Sequence, residues 1–218
     1  MLERLRTALW RARDAARDYV RPGHRRDVFT TIYEQNLWGC DESRSGVGSS
    51  PAATSAIVEE LPGLWMRHGI RSLIDAPCGD CGWMSKIAPQ LDRYLGVDIV
   101  ESLIESNRKK FPSLDFMCGD LTRDVLPRAD AILCRDCFQH LPTRLIFSAL
   151  RQFKASGSTW VLLTTNDNVQ SNQDGVIGGS RPLNLRRPPF NFGEPVEKIA
   201  EDGEGRSVAL WRLSKETS

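Results

Sequence analysis

The chain has 218 residues, a length that suits one domain with a substantial buried core. Its 29 basic and 28 acidic residues nearly cancel, which gives no electrostatic case for binding nucleic acid. No apolar run approaches the ~20 residues that span a bilayer, and the arginine-rich first residues lack the apolar stretch of a signal peptide, so no integral membrane segment and a cytoplasmic location are expected.

In chain order, residues 2–20 read as one helix, with Leu2, Leu5, Leu9, Ala12, Ala16 and Tyr19 on one face and arginines elsewhere. A basic amphipathic helix suits an acidic membrane surface, but this apolar face is narrow and alanine-rich. Packing on its own domain or on a partner chain is the favoured reading, which leaves a homodimer open. Pro22-Gly23 ends the helix, and residues 27–38 read as a second one. Residues 39–50 are rich in Gly and Ser without apolar periodicity, so they form a loop of lid length, with a linker as the alternative. Residues 1–50 are therefore expected to be an N-terminal helical and lid extension, and 51–218 the main domain, within a single globular unit.

Helix 54–68 leads into a strand over 71–75, and strands over 93–98, 114–118, 129–134 and 159–165 follow, with helices over 82–90, 100–111 and 142–154 between them. Such alternation implies an α/β fold, a mostly parallel sheet with helices on both faces. Two weaker strands, 196–201 and 207–213, bring the expected sheet to seven strands. Residues 166–194 look irregular; Phe190, Phe192 and the arginines at 181, 186 and 187 favour a substrate-facing excursion over a mobile loop.

The most informative stretch is Ser72-Leu73-Ile74-Asp75-Ala76-Pro77-Cys78-Gly79-Asp80-Cys81-Gly82, a buried strand that runs into a turn of small and acidic residues. Ligands of open α/β sheets bind at the carboxyl ends of strands, where small residues let the backbone come close. Asp75 and Asp80 disfavour a phosphate, which wants amide donors in a positive field. The second strand ends in Asp98, a carboxylate suited to accept both ribose hydroxyls, and the third ends in Gly119-Asp120, suited to an adenine amino group. Three acidic strand ends outline an adenosine site. The Gly-x-Gly-x-x-Gly spacing that a nicotinamide-dependent oxidoreductase needs after the first strand is absent. Cys78/Cys81 and Cys134/Cys137 are two CxxC pairs, but they sit at strand ends of an otherwise complete sheet pattern. Reduced, packed cysteines are favoured over zinc or a redox motif, and no metal is expected.

Taken together, these residues resemble a class I S-adenosylmethionine-dependent methyltransferase. That family's first motif, Asp-x-Gly-x-Gly-x-Gly, aligns with Asp75, Pro77, Gly79 and Cys81, so the acid and the central glycine are kept. The run Asp-Ala-Pro-Cys-Gly-Asp followed by Trp83-Met84 is similar to one branch of the superfamily, whose pattern also includes Trp38-Gly39, Ser45-Gly46, Arg135-Asp136 with His140-Leu141, and Asn184-Leu185 with Pro189-Phe190. The resemblance covers roughly residues 28–213 and implies a Rossmann-like methyltransferase fold, with S-adenosylmethionine (SAM) as cofactor and S-adenosylhomocysteine (SAH) as product. It implies cofactor contacts from Trp38, Asp75, Pro77, Gly79, Asp98, Ile99, Gly119, Asp120, Leu121 and Arg135, and acceptor contacts from Arg181, Asn184 and Phe190. The acceptor it implies is a small molecule or a glycan sugar, methylated on oxygen.

A hydroxyl acceptor needs a base just beyond the fourth strand. Of the three histidines, His140 alone falls at the carboxyl edge of the sheet; a helix-capping or core-bonded histidine is the alternative. Asp136 orients His140 or acts as base itself, unless an Arg135–Asp136 contact simply pins the loop. Arg135 is read as a loop-ordering, cofactor-carboxylate or substrate contact. Trp38 offers an aromatic face to a sulfonium. A catalytically inactive methyltransferase-like scaffold is the competing function. Pro77 and Cys81 motivate it, while Asp98, Asp120 and His140 speak against it.

Overall fold

The structure, a computed structural model, describes residues 23–213. The helix expected over residues 2–20 lies outside them. The strands are β1 Ser72–Asp75, β2 Arg93–Asp98, β3 Asp115–Cys118, β4 Ala131–Cys134, β5 Trp160–Asn166, β6 Glu197–Ala200 and β7 Arg206–Arg212. They form one seven-stranded sheet in the order β3-β2-β1-β4-β5-β7-β6. Only β7 runs against its neighbours β5 and β6; the other pairs are parallel. The helices are α1 His24–Glu34, α2 Pro51–His68, α3 Glu101–Lys110 and α4 Thr143–Ala155. This is the expected mostly parallel α/β fold.

The strands are apolar on both faces, and the period of two splits their side chains between two layers. Leu73, Leu133, Leu162 and Leu210 pack with Ile57, Leu61 and Leu64 of α2 and Ile104 of α3. Their neighbours Ile74, Ile132, Val161 and Trp211 pack with Ile146, Ala149 and Phe153 of α4. The two CxxC pairs fall on opposite layers, Cys78 and Cys81 on the first and Cys134 and Cys137 on the second, so they do not converge on one site. Among the described residues, no group of three or more His, Cys, Asp or Glu side chains is placed to hold a metal ion. No described helix is long and apolar enough to cross a membrane.

Local chemistry sets the element ends. Helix α2 starts at Pro51, earlier than expected, because Ser50 caps it by accepting from the Ala53 N–H and Pro51 fits the first turn. Helix α1 stops at Glu34 rather than residue 38. Asn36 enters the left-handed region at φ 49°, and the Leu37 N–H donates back to the Ile32 carbonyl, closing the end as a Schellman motif. The helix expected over 82–90 is absent; two short 3-10 turns, Met84–Lys86 and Ala88–Gln90, take its place. Pro89 cannot donate a helical hydrogen bond and its ring crowds the preceding turn.

The chain passes from β1 outward to β2 and β3, then returns to the other side of β1 with β4. At such a reversal the loops leaving β1 and β4 diverge and open a crevice at the carboxyl edge.

Candidate functional site

The crevice is a cleft of about 990 Å³, part of it open to solvent. Every position expected to bind the cofactor lines it, from Trp38 and Asp75 through Asp98 and Asp120 to Arg135, together with Asp136 and His140. Arg181, Asn184 and Phe190 are not among the lining residues. Asn184 is buried and spends its side chain on the carbonyls of Asp167 and Val169, and Phe190 packs on Phe147. Arg181 bonds backbone carbonyls beside His140. The excursion over residues 166–194 therefore packs on the α4 layer through Ile177, Leu183, Leu185 and Phe190.

The three strand-end acids differ in what they have left to give. Asp75 is buried and accepts from the Tyr94 hydroxyl at 2.9 Å; burial pushes its carboxyl up to about 7, against that hydrogen bond. Asp98 accepts the N–H of Gly79 at 3.2 Å on one oxygen and that of Val100 at 3.0 Å on the other. Burial raises it to about 6, opposed by backbone hydrogen bonds from Val100, Gly79 and Ile99. A carboxylate offers roughly four acceptor positions, so Asp98 keeps capacity for a further donor. Asp120 does not. One oxygen takes Arg25 Nε at 3.1 Å and Nη2 at 2.7 Å, and the other takes the Thr122 N–H and hydroxyl at 2.9 and 2.7 Å. Burial alone would raise the Asp120 carboxyl, but Thr122 and Arg25 outweigh it and hold it below the ordinary value. With this pairing, an adenine amino group has no open acceptor on Asp120.

Residues 38–50 sit on the carboxyl edge at three points. Asp80 accepts from the Ser43 hydroxyl at 2.7 Å, and its own N–H donates to Ser45 Oγ at 2.8 Å. The Gly48 carbonyl accepts from Arg135 Nη2 at 2.8 Å. Trp38 stacks on His140, with ring centroids 4.7 Å apart, and meets Phe29 edge-on, so its aromatic neighbours are protein rings. Gly79 lies beneath this loop at φ 52°, and a Cβ there would strike Ser45 Oγ, so glycine is required on both counts. Asp80, read from the sequence only as an acid unfriendly to phosphate, is the anchor of the loop.

At the end of β4, Arg135 lies over the Trp83 ring and donates from Nε to Glu201 at 2.5 Å. Asp136 holds φ 51° and pairs with Arg206, and Arg135 Nη1 lies 3.4 Å away. The four charges form a network under the cleft, in which burial raises the carboxyl of Glu201. His140 follows on a 3-10 turn, Phe138–His140. Its Nδ1 lies 2.6 Å from the Gly179 carbonyl, and burial pulls its pKa below the ordinary value despite that bond. Sequence reasoning missed Arg25, Phe29 and Tyr33 in the cleft and Glu201 and Arg206 beneath it. No local signal marks them: Arg25 meets a partner 95 residues away.

Residues 73–156 match a family model described as a methyltransferase domain. Magnesium protoporphyrin IX methyltransferase (ChlM) from Synechocystis PCC 6803 with bound SAM aligns over 87% of this chain and 95% of its own, at 13% identity and a TM-score of 0.61. Human N-acetylserotonin methyltransferase in complex with SAM aligns over 89% of this chain at 13% identity and a TM-score of 0.55, and this chain spans 60% of its length. The methyltransferase domain of bacterial CtHen1-C aligns over 52% of this chain and 66% of its own, at 16% identity and a TM-score of 0.47. No curated protein matches the sequence. The fold is the Rossmann-like methyltransferase fold.

Proposed function

We propose that the cleft binds SAM and that the chain methylates a hydroxyl of a small molecule or sugar, with His140 as general base. When bound, SAM supplies an electrophilic methyl group on a sulfonium, which departs as the neutral thioether of SAH. Asp98 would hold the ribose diol through the acceptor capacity it has left, and the backbone at Pro77 and Gly79 lets the ligand approach closely. Ile99, Gly119 and Leu121 flank the base, with Asp75 deeper in the cleft. Arg135, which lines the cleft at the end of β4, would take the carboxylate of the amino-acid end. The same reading keeps 1–50 as an N-terminal extension carrying the lid loop, 51–218 as the main domain, and the cytoplasm as the setting.

One observation carries the base assignment. A carbonyl oxygen only accepts, so the 2.6 Å contact with Gly179 places the ring proton on His140 Nδ1. Nε2 is then left as a bare lone pair, and the lowered pKa keeps the ring neutral near pH 7. Gln139 Nε2 donates to His140 Nε2 only a long hydrogen bond at 3.4 Å, which an acceptor hydroxyl can displace. The acceptor hydroxyl gives its proton to Nε2 as its oxygen takes the methyl group. Asp136 spends Oδ2 on Arg206 and Arg135 as their counterion, while its buried Oδ1 has no hydrogen-bond partner among the described residues, so Asp136 stays the alternative base.

ChlM and N-acetylserotonin methyltransferase are named for dissimilar small acceptors, and a shared fold does not choose between them. The test is transfer from methyl-labelled SAM to a panel of sugars and phenols. The parent incorporates label, and His140→Ala loses about 10²–10⁴-fold in turnover while still binding SAH. Equal turnover in the variant removes His140 from the reaction. SAH binding without transfer to any acceptor supports the inactive-scaffold reading instead.

A further inference from the structure

Residues 173–181 cross the turn that carries His140, and we propose that this strap, fastened by Arg181, is the device that positions the catalytic imidazole. The inference rests on the reading of His140 as base, and it gives Arg181 a role other than substrate contact. The Arg181 guanidinium donates from Nη1 to the Gln139 carbonyl at 2.9 Å and from Nη2 to the Leu141 carbonyl at 2.7 Å. Its Nε donates to the Gln173 carbonyl at 2.8 Å. One planar fork thus ties the peptides on both sides of His140 to the start of the strap.

The strap then returns two bonds to His140 itself. The Gly178 N–H donates to the His140 carbonyl at 2.9 Å, and the Gly179 carbonyl accepts the Nδ1 proton at 2.6 Å. Asp174 secures the start of the strap a second time by accepting the Thr143 N–H, at the start of α4, at 2.7 Å. The ring is therefore held on one face by Trp38 and at its Nδ1 edge by a carbonyl whose place Arg181 sets. Whichever nitrogen keeps the proton is decided by the partner of the other, so the strap chooses the tautomer that leaves Nε2 able to act. The close fit supplies a second handle: a Cβ on Gly175 would collide with the Arg181 guanidinium and displace it.

The test uses the full chain, labelled with 15N-histidine and saturated with SAH, so that no acceptor is needed. The three histidines are few enough for the His140 ring to be assigned by its loss in His140→Ala. The parent shows a protonated Nδ1 and a bare Nε2. In Arg181→Ala, Arg181→Lys and Gly175→Ala the ring becomes a mixture of tautomers, with SAH affinity within about threefold of the parent. Lysine keeps the charge, but its single nitrogen cannot reproduce the planar fork whose three nitrogens each reach a different carbonyl, so it does not rescue. On any acceptor found in the panel, kcat falls about tenfold or more with KM for SAM unchanged, the cost of a base held out of line. Unchanged ring signals in Gly175→Ala and Arg181→Lys overturn the proposal, even where Arg181→Ala fails to fold. A tautomer mixture accompanied by undiminished turnover leaves the strap standing and removes His140 as base.

Discussion

Asp98 and His140 meet the same cleft with opposite protonation demands. Asp98 accepts ribose hydroxyls best as a carboxylate, and burial has raised it to about 6. Cofactor affinity is therefore expected to hold above that value and to weaken as the pH falls through it. Asp98→Ala is expected to cost at least ~tenfold in SAH affinity, or about 1.4 kcal/mol, read by calorimetry. His140 must be neutral to take a proton, and its pKa lies below the ordinary value, which is near ~6.5. The acid limb of kcat, measured at saturating SAM so that binding does not intrude, is expected below pH ~6.5. A limb above pH 7 contradicts the burial that lowers the ring's pKa. Asp120 marks what a sequence cannot display. Its position at a strand end was legible, but the Arg25 that occupies it comes from a helix 95 residues earlier.

At the level of elements, the residue-38–50 loop and the first strand turn form one unit. Asp80 accepts from Ser43 and donates to Ser45, and hydrogen bonds to a charged group contribute about 1.5–3 kcal/mol. Asp80→Ala is expected to free this loop. Limited proteolysis then cuts faster within residues 39–50, and SAH binds several-fold more weakly, although Asp80 is not a cleft-lining residue. Unchanged cleavage and affinity would show that the seating contributes nothing. The loop was legible as a lid candidate from its Gly and Ser content; its anchor was not, since Asp80 carries no mark of its partner 37 residues away. Strands were readable because alternate residues feed two apolar layers, as Leu73 and Ile74 do. The helix expected over 82–90 failed on Pro89, a breaker visible in the sequence and outweighed there by the βαβ rhythm.

Across the whole molecule, the fold places buried acids at the centre of a parallel sheet, and that has a cost in stability. Raised from 3.8 to about 7, Asp75 contributes stability that is fully present below pH 3.8 and is lost as the pH rises through about 7. Asp98 acts in the same sense, through about 6. Asp75→Asn removes the larger part of this slope. The Tm of the variant relative to the parent is expected to climb between pH 5 and pH 8, by a few degrees, since ~1 kcal/mol moves Tm by about 2–4 °C at this size. A constant offset across that range contradicts the burial of an ionisable Asp75. The mostly parallel sheet and its acidic carboxyl edge were foreseeable from alternation and strand ends. The Arg135–Glu201–Arg206–Asp136 network was not, because it joins β4 to residues around β6 and β7 that meet only once the sheet has closed.

The central claim is that Asp98 and the Gly79 turn make a site for an adenosyl sulfonium and not for a dinucleotide. Calorimetric titration of the parent and of Asp98→Ala with SAM, SAH and NAD tests it directly. The account predicts one-site binding of SAM and SAH to the parent, at least ~tenfold weaker in the variant, and no heat from NAD. Silence with both SAM and SAH beside clear uptake of NAD, or equal SAH affinity in the two proteins, contradicts it.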